Sequence, residues 1–108
     1  MTISRGVSDI MLERQHQFDL GYTPENDDKN YDPSDLLRVS TCYMDAATEL
    51  ESGEDLNEIW GGPHPFWPDH TGIEWNPEDT PEGNAVKGAA FAAAALDLIQ
   101  LRRERADV

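Results

Sequence analysis

The chain predicts an all-α fold, and three observations carry the prediction. Apolar residues recur at helical spacing in separate stretches, each stretch begins or ends on a capping residue, proline or glycine, and the C-terminal stretch is an alanine-rich tract. Together they give about three helices, roughly 7–20, 33–51 and 84–105, with a long Pro/Trp-rich irregular segment packed over them. At 108 residues the chain reads as one small acidic helical domain, 1–108.

The first helix is read from Val7, Ile10, Met11 and Phe18, with Asp9 and Glu13 in its early turns, where the helix dipole favours negative charge. Gly21 closes it, as glycine does in the left-handed position after a helix, and Thr23-Pro24-Glu25 then reads as a cap followed by proline at a first helical position. A short turn of helix is expected there. Asp32-Pro33-Ser34-Asp35 is a stronger start signal, and Leu36, Ser40, Tyr43, Ala47 and Leu50 form the stripe of the second helix, which ends at Gly53.

Between Gly53 and Gly83 glycine and proline crowd the chain and forbid a regular helix, while Trp60, Phe66, Trp67 and Trp75 supply apolar area to order it. The segment is expected to wrap the helices. The third helix follows, its alanines from Ala89 to Ala95 allowing another backbone to approach closely, and Arg102, Arg103 and Arg105 suiting its C-terminal dipole. That tract makes a homo-oligomer the expected assembly.

Charge narrows the partners. Twenty-two acidic residues against eight lysines and arginines give a formal charge of −14, which repels nucleic-acid phosphates and favours cationic surfaces, metal ions or high salt. No direct nucleic-acid binding is expected, and folding should depend on salt. The acidity, with only Lys29 and Lys87 as lysines, fits a saline habitat as well as it fits a partner. Cys42 has no second cysteine to pair with, so disulfides and thiolate zinc sites within the chain are excluded. The longest apolar run, Ala89 to Leu96, is far short of a membrane span, and a cytoplasmic, membrane-free protein is expected.

Glu13 to Asp28, ERQHQFDLGYTPENDD, is the segment richest in chemistry. If the Gly21 turn folds back, Glu13 faces Glu25, Asp27 and Asp28, a set suited to Mg²⁺, which takes oxygen ligands. Glu25-x-x-Asp28 is similar to half of the metal motif of all-α nucleotide pyrophosphohydrolases, although no upstream E-x-x-E accompanies it. His64, His70 and Asp69, with His16, form a second conceivable metal set. Asp97 interrupts an apolar stretch and needs a partner, Arg14 or Lys87, unless it faces water. For a ligand, Arg14, Gln17, Tyr22 and Lys87 are the expected phosphate and base contacts, with Trp67 or Trp75 stacking.

Glu13, Arg14, Gln17, Gly21, Tyr22, Thr23, Glu25, Asp27 and Asp28, then Trp67, Pro68, Trp75 and Pro77, then Val86, Lys87 and Ala90, follow one order along nearly the whole chain. In that order the chain resembles a family of small proteins of tailed phages and prophages. Asn26 stands where that family usually has His, and Ala95 where it often has Glu. The resemblance implies a phage accessory protein acting in a host cytoplasm. The expectation is a binding protein that engages a host protein or sequesters a nucleotide-like ligand without catalysis and without an obligatory cofactor. The alternatives are a Mg²⁺-dependent nucleotide phosphohydrolase using Glu13, Glu25, Asp27 and Asp28, and a DNA-mimic inhibitor or salt-adapted structural protein.

Overall fold

Local signals set most helix ends. Asp32 precedes Pro33, and the Asp35 carboxylate accepts the Asp32 N–H at 2.9 Å, which satisfies a donor the helix start leaves free. Thr80 does the same work at a second Thr-Pro-Glu run, its hydroxyl accepting from Gly83 N–H at 3.0 Å. The computed structural model describes residues 2–106. Among them are α1 (Arg5–Asp19), α2 (Pro24–Asn30), α3 (Pro33–Glu51), α4 (Leu56–Trp60) and α5 (Pro81–Ala106), with one 3-10 turn at Asp69–Thr71 and no strand.

The all-α expectation therefore stands, and the count of three helices is corrected to five. α2 extends the expected turn to seven residues because Thr23 caps it, its hydroxyl accepting from Asn26 N–H at 3.3 Å. α4 lies inside the stretch expected to be irregular: the Asp55 carboxylate accepts from Asn57 N–H at 2.8 Å, and Gly61, at φ +66°, ends the helix after five residues. α5 starts at Pro81 rather than near Asn84. No helix among the described residues is long and apolar enough to cross a membrane.

α3 and α5 form the core. They run antiparallel: Ser40 meets Gly88, while Arg102 near the end of α5 reaches Asp32 at the start of α3. Leu36, Val39, Tyr43, Ala46, Phe91, Ala94, Ala95 and Leu98 are buried along them, each large side chain contributing roughly 1.5–3 kcal/mol of apolar burial. The buried arc of α3 includes Val39, Cys42 and Ala46 and leaves Ala47 and Leu50 half-buried, because α5 and the 61–80 segment cover it from two sides. Ala90, Ala94 and Ala95 have no exposure left, so α3 of the same chain already uses the close approach that the alanine tract permits.

The Pro/Trp segment packs on this pair. Tyr43 lies stacked on Trp75 at 5.1 Å and on Phe91 at 5.9 Å, and meets Trp67 edge-on at 5.6 Å. Trp67 Nε1 donates to Ile73 O at 2.9 Å, which closes the loop on itself. Buried Asn84 fastens its end, donating to Glu78 O and Thr80 O and accepting from Glu78 N–H. Arg102 fastens the junction of α2 and α3 onto α5, donating to Asp28, Asp32 and Tyr31 O.

α1 departs from its periodicity. Val7, Met11 and Phe18, expected on a core face, are exposed, whereas Gln17 is the residue of α1 that is buried. The helix docks on α5 through Arg14 and Gln17, a polar seam that outweighs its apolar stripe.

α3 and α5 approach tightly at Gly88. Ser40 Oγ donates to Gly88 O at 2.6 Å, and a Cβ on Gly88 would lie 3.0 Å from Met44 Cε and 3.1 Å from Ser40 O. Gly88→Val is expected to lower stability by about 1–3 kcal/mol through overpacking, read from urea unfolding. Unchanged stability would contradict this helix spacing.

Candidate functional site

The Glu13–Asp28 element folds back as the sequence suggests, and Arg14 is what holds it. Gly21, at φ +97°, lets the chain reverse between α1 and α2. The Arg14 guanidinium then donates to Gln17 Oε1 at 3.0 Å, to Tyr22 O at 2.9 Å and to Asp97 Oδ2 at 2.7 Å, and lies 4.5 Å over the Phe18 ring. Asp97 thus meets Arg14 within the chain. With four hydrogen bonds already made to these groups, Arg14 stands behind the site and is not among the residues that line it.

In front of Arg14 is a cleft of about 430 Å³, between α1, α5 and the 72–76 strip. Glu13, Gln17, Tyr22 and Lys87 line it together with Tyr43, Phe91, Glu74 and Asn76. The structure therefore brings together Gln17, Tyr22 and Lys87 of the expected ligand contacts, with Arg14 directly behind. Tyr22 meets Phe91 edge-on at 5.6 Å. Lys87 Nζ donates to Asn76 O at 2.6 Å, pairs with Glu78 at 3.0 Å and stands 5.4 Å from the Tyr43 ring centre. Burial raises the Tyr22 phenol, with Asp27 and Glu74 adding to it, and pushes Tyr43 up to about 12. Both phenols are neutral donors at neutral pH. Gln17 is 2 % exposed, and with its oxygen taken by Arg14, its Nε2 has no hydrogen-bond partner among the described residues.

Trp67 and Trp75 are not in this lining. They are committed to the core, on Tyr43 and on each other at 5.0 Å, and the aromatic side chains that line the cleft are instead Tyr22, Tyr43 and Phe91. Phe91 is the one large aromatic in the alanine tract, a signal the sequence carries but that periodicity assigns to core.

The four expected metal ligands are dispersed. Glu13 is on the cleft, and Glu25 is exposed beside Phe18 and Leu101. Asp28 gives its oxygens to Arg102 at 3.0 Å and to Arg105, and those two bonds, Arg105 first, hold it below the usual carboxylate range. Asp27 is buried. The residues present do not fit a shared Mg²⁺, and among the described residues no group of three His, Cys, Asp or Glu side chains is placed to hold a metal. The histidines are likewise apart: His64 pairs with Asp45 and His70 with Asp35, each at 2.8 Å. Cys42 is fully buried and its thiol pushed up to about 11 by burial, which makes it a poor nucleophile.

Asp27 sets a pH dependence. It is 1 % exposed, its Oδ2 has no partner among the described residues, and burial raises it from 3.8 to about 6, against the pull of Arg14 and with the push of Asp97. A folded-state value above the unfolded one means that the native protein keeps a proton the unfolded chain has lost. This share of stability is present below pH 4, falls away as pH rises to about 6 and stays lost above it, roughly 3 kcal/mol in all. Asp28, shifted the other way, loses its contribution only below the usual carboxylate range. Denaturant unfolding across pH 4–7 should therefore show Asp27→Asn gaining on wild type as pH rises. Parallel curves for the two proteins would refute the assignment.

Comparison of the chain with protein-family models, with curated proteins and with solved structures gives no match.

Proposed function

We propose that the protein binds a small nucleoside-like or nucleotide-like ligand in this cleft and holds it without catalysis, as an accessory protein of the tailed-phage type acting in a host cytoplasm. One observation carries the reading: Gln17 and Tyr22 from α1 and its turn, Tyr43 from α3, and Lys87 and Phe91 from α5 surround one cleft of ligand size. Its aromatic faces suit a planar ring, and its polar groups suit orientation of that ring. Sequestration is favoured over turnover because the strongest ionic groups are already engaged, Arg14 by Asp97 and Lys87 by Glu78. With Glu13 and Glu74 also on the lining, the cleft accepts the base and sugar of a ligand more readily than a phosphate chain. The phage and host setting rests on the sequence resemblance alone.

Calorimetric titration of the full chain with adenosine, guanosine, cytidine and uridine, and then with their monophosphates, tests the proposal. The expected result is saturable one-to-one binding of at least one nucleoside, tighter than its monophosphate, with the ligand recovered intact. Gln17→Leu and Asn76→Ala should each weaken it by about tenfold, or 1.4 kcal/mol. Absence of binding across the panel, or conversion of the ligand, would overturn the reading.

A further inference from the structure

A second concavity is larger than the cleft. A groove of about 850 Å³ lies between the first half of α1 and the facing α3 and α5, with Ile10, Met44, Val86 and Ala89 among its lining and Asp9 and Glu82 at its edge. It continues past Met44 and Ala85 along Ala47 toward the junction of Ser52 and Pro81. Beside it α1 turns its apolar side chains outward: Val7 is 50 % and Met11 56 % exposed, and Ile3 just before the helix is 52 % exposed. An apolar trough next to an outward apolar stripe is more than scattered surface hydrophobicity, and such surfaces receive partners.

We propose that this groove receives an amphipathic helix of a partner protein, one whose apolar face is flanked by lysine or arginine. The trough runs between helices, and a helix laid in it presents anchors at i, i+4 and i+7. Met44, an unbranched and adaptable side chain 36 % exposed, lies in the lining shared by the groove and its extension. Charge selects the partner. Asp9, Glu82 and, along the extension, Glu51 face a single arginine, Arg5, on a chain of net charge −14. A second copy of this chain brings the same negative charge and is repelled, whereas a basic flank is attracted and its association accelerated. The groove and the ligand cleft share no lining residue, so the two proposals stand or fall separately.

The probe is a fluorescent Leu/Lys peptide with apolar residues at helical spacing, titrated with the full chain and followed by anisotropy. Its controls are a Leu/Glu peptide of the same pattern and a Leu/Lys peptide of the same composition in strict alternation. The basic helical peptide should bind about tenfold or more tightly than either control and weaken with added salt. The Met44→Ser, Val86→Ser double variant should lose about tenfold in affinity. Asp9→Asn with Glu82→Gln, exposed or half-exposed changes that spare the fold, should weaken binding and flatten its salt dependence, whereas removing two charges elsewhere by Glu54→Gln with Glu104→Gln should not. Equal binding of the controls, or indifference to both groove variants, would overturn the proposal. So would sedimentation showing a dimer of this chain that Met44→Ser, Val86→Ser dissociates, since the occupant would then be a second copy.

Discussion

Arg14→Met is expected to destabilise the fold by about 3 kcal/mol, the largest effect of any single charged side chain. The guanidinium is only 12 % exposed, and its loss leaves the Gln17 and Tyr22 carbonyl oxygens without donors and Asp27 without its one attractive charge. The Asp97 pairing is the smaller part, because that carboxylate is 37 % exposed and water screens it. Arg14→Lys should recover little, since one ammonium cannot serve acceptors set around a planar fork. Urea unfolding at neutral pH, with Asp97→Asn completing a double-mutant cycle, measures this. A loss no greater than that of Asp97→Asn alone would show that Arg14 is merely a surface pair.

Tyr43→Ala should cost about 3–5 kcal/mol, as large-to-small changes of buried aromatics do. Its ring touches Trp67, Trp75 and Phe91 at once and stands under Lys87, so one deletion loosens both the core and the floor of the cleft. Tyr43→Phe separates the two roles of the side chain: it keeps the packing and removes the phenol oxygen that accepts from Asn76 N–H at 3.1 Å, at a cost of about 1 kcal/mol. Thermal and urea unfolding of both variants checks the ratio. Equal losses would place the energy in the hydrogen bond and not in the stack.

What could be read from the sequence was whatever short-range chemistry decides. Gly21, Gly53, Thr23-Pro24 and Asp32-Pro33 punctuate the helices where expected because capping and positive φ act over a few residues. The same Thr-Pro-Glu signal at Thr80 starts α5 and is legible by analogy with Thr23, but the glycine and proline density around it hides it. α4 was not legible, since five residues have no periodicity and depend on one Asp55 cap.

The site was legible in half. Arg14, Gln17 and Tyr22 are joined by one turn, so their convergence follows from local reversal at Gly21. Tyr43 and Phe91 enter from helices whose crossing no spacing rule specifies, and Trp67 and Trp75 leave the site for the same reason. The acidic run misled because composition cannot tell a carboxylate waiting for a cation from one already held: Asp28 belongs to Arg102 and Arg105, which lie more than seventy residues away. α1 misled in the opposite sense, its periodic apolar residues pointing outward because the Arg14 seam fixes its rotation.

The measurement that bears most directly on the central claim, that the Gln17–Tyr22–Lys87 cleft is where a ligand sits, is a two-dimensional amide NMR titration of the isotopically labelled chain with adenosine. Saturable shifts confined to Gln17, Tyr22, Glu74, Asn76 and Lys87 and their neighbours, sparing Asp28 and the His64–Trp67 stretch, are the predicted result. Shifts that follow the carboxylates of α2, or the exposed face of Phe66, and leave the cleft unmoved would contradict it.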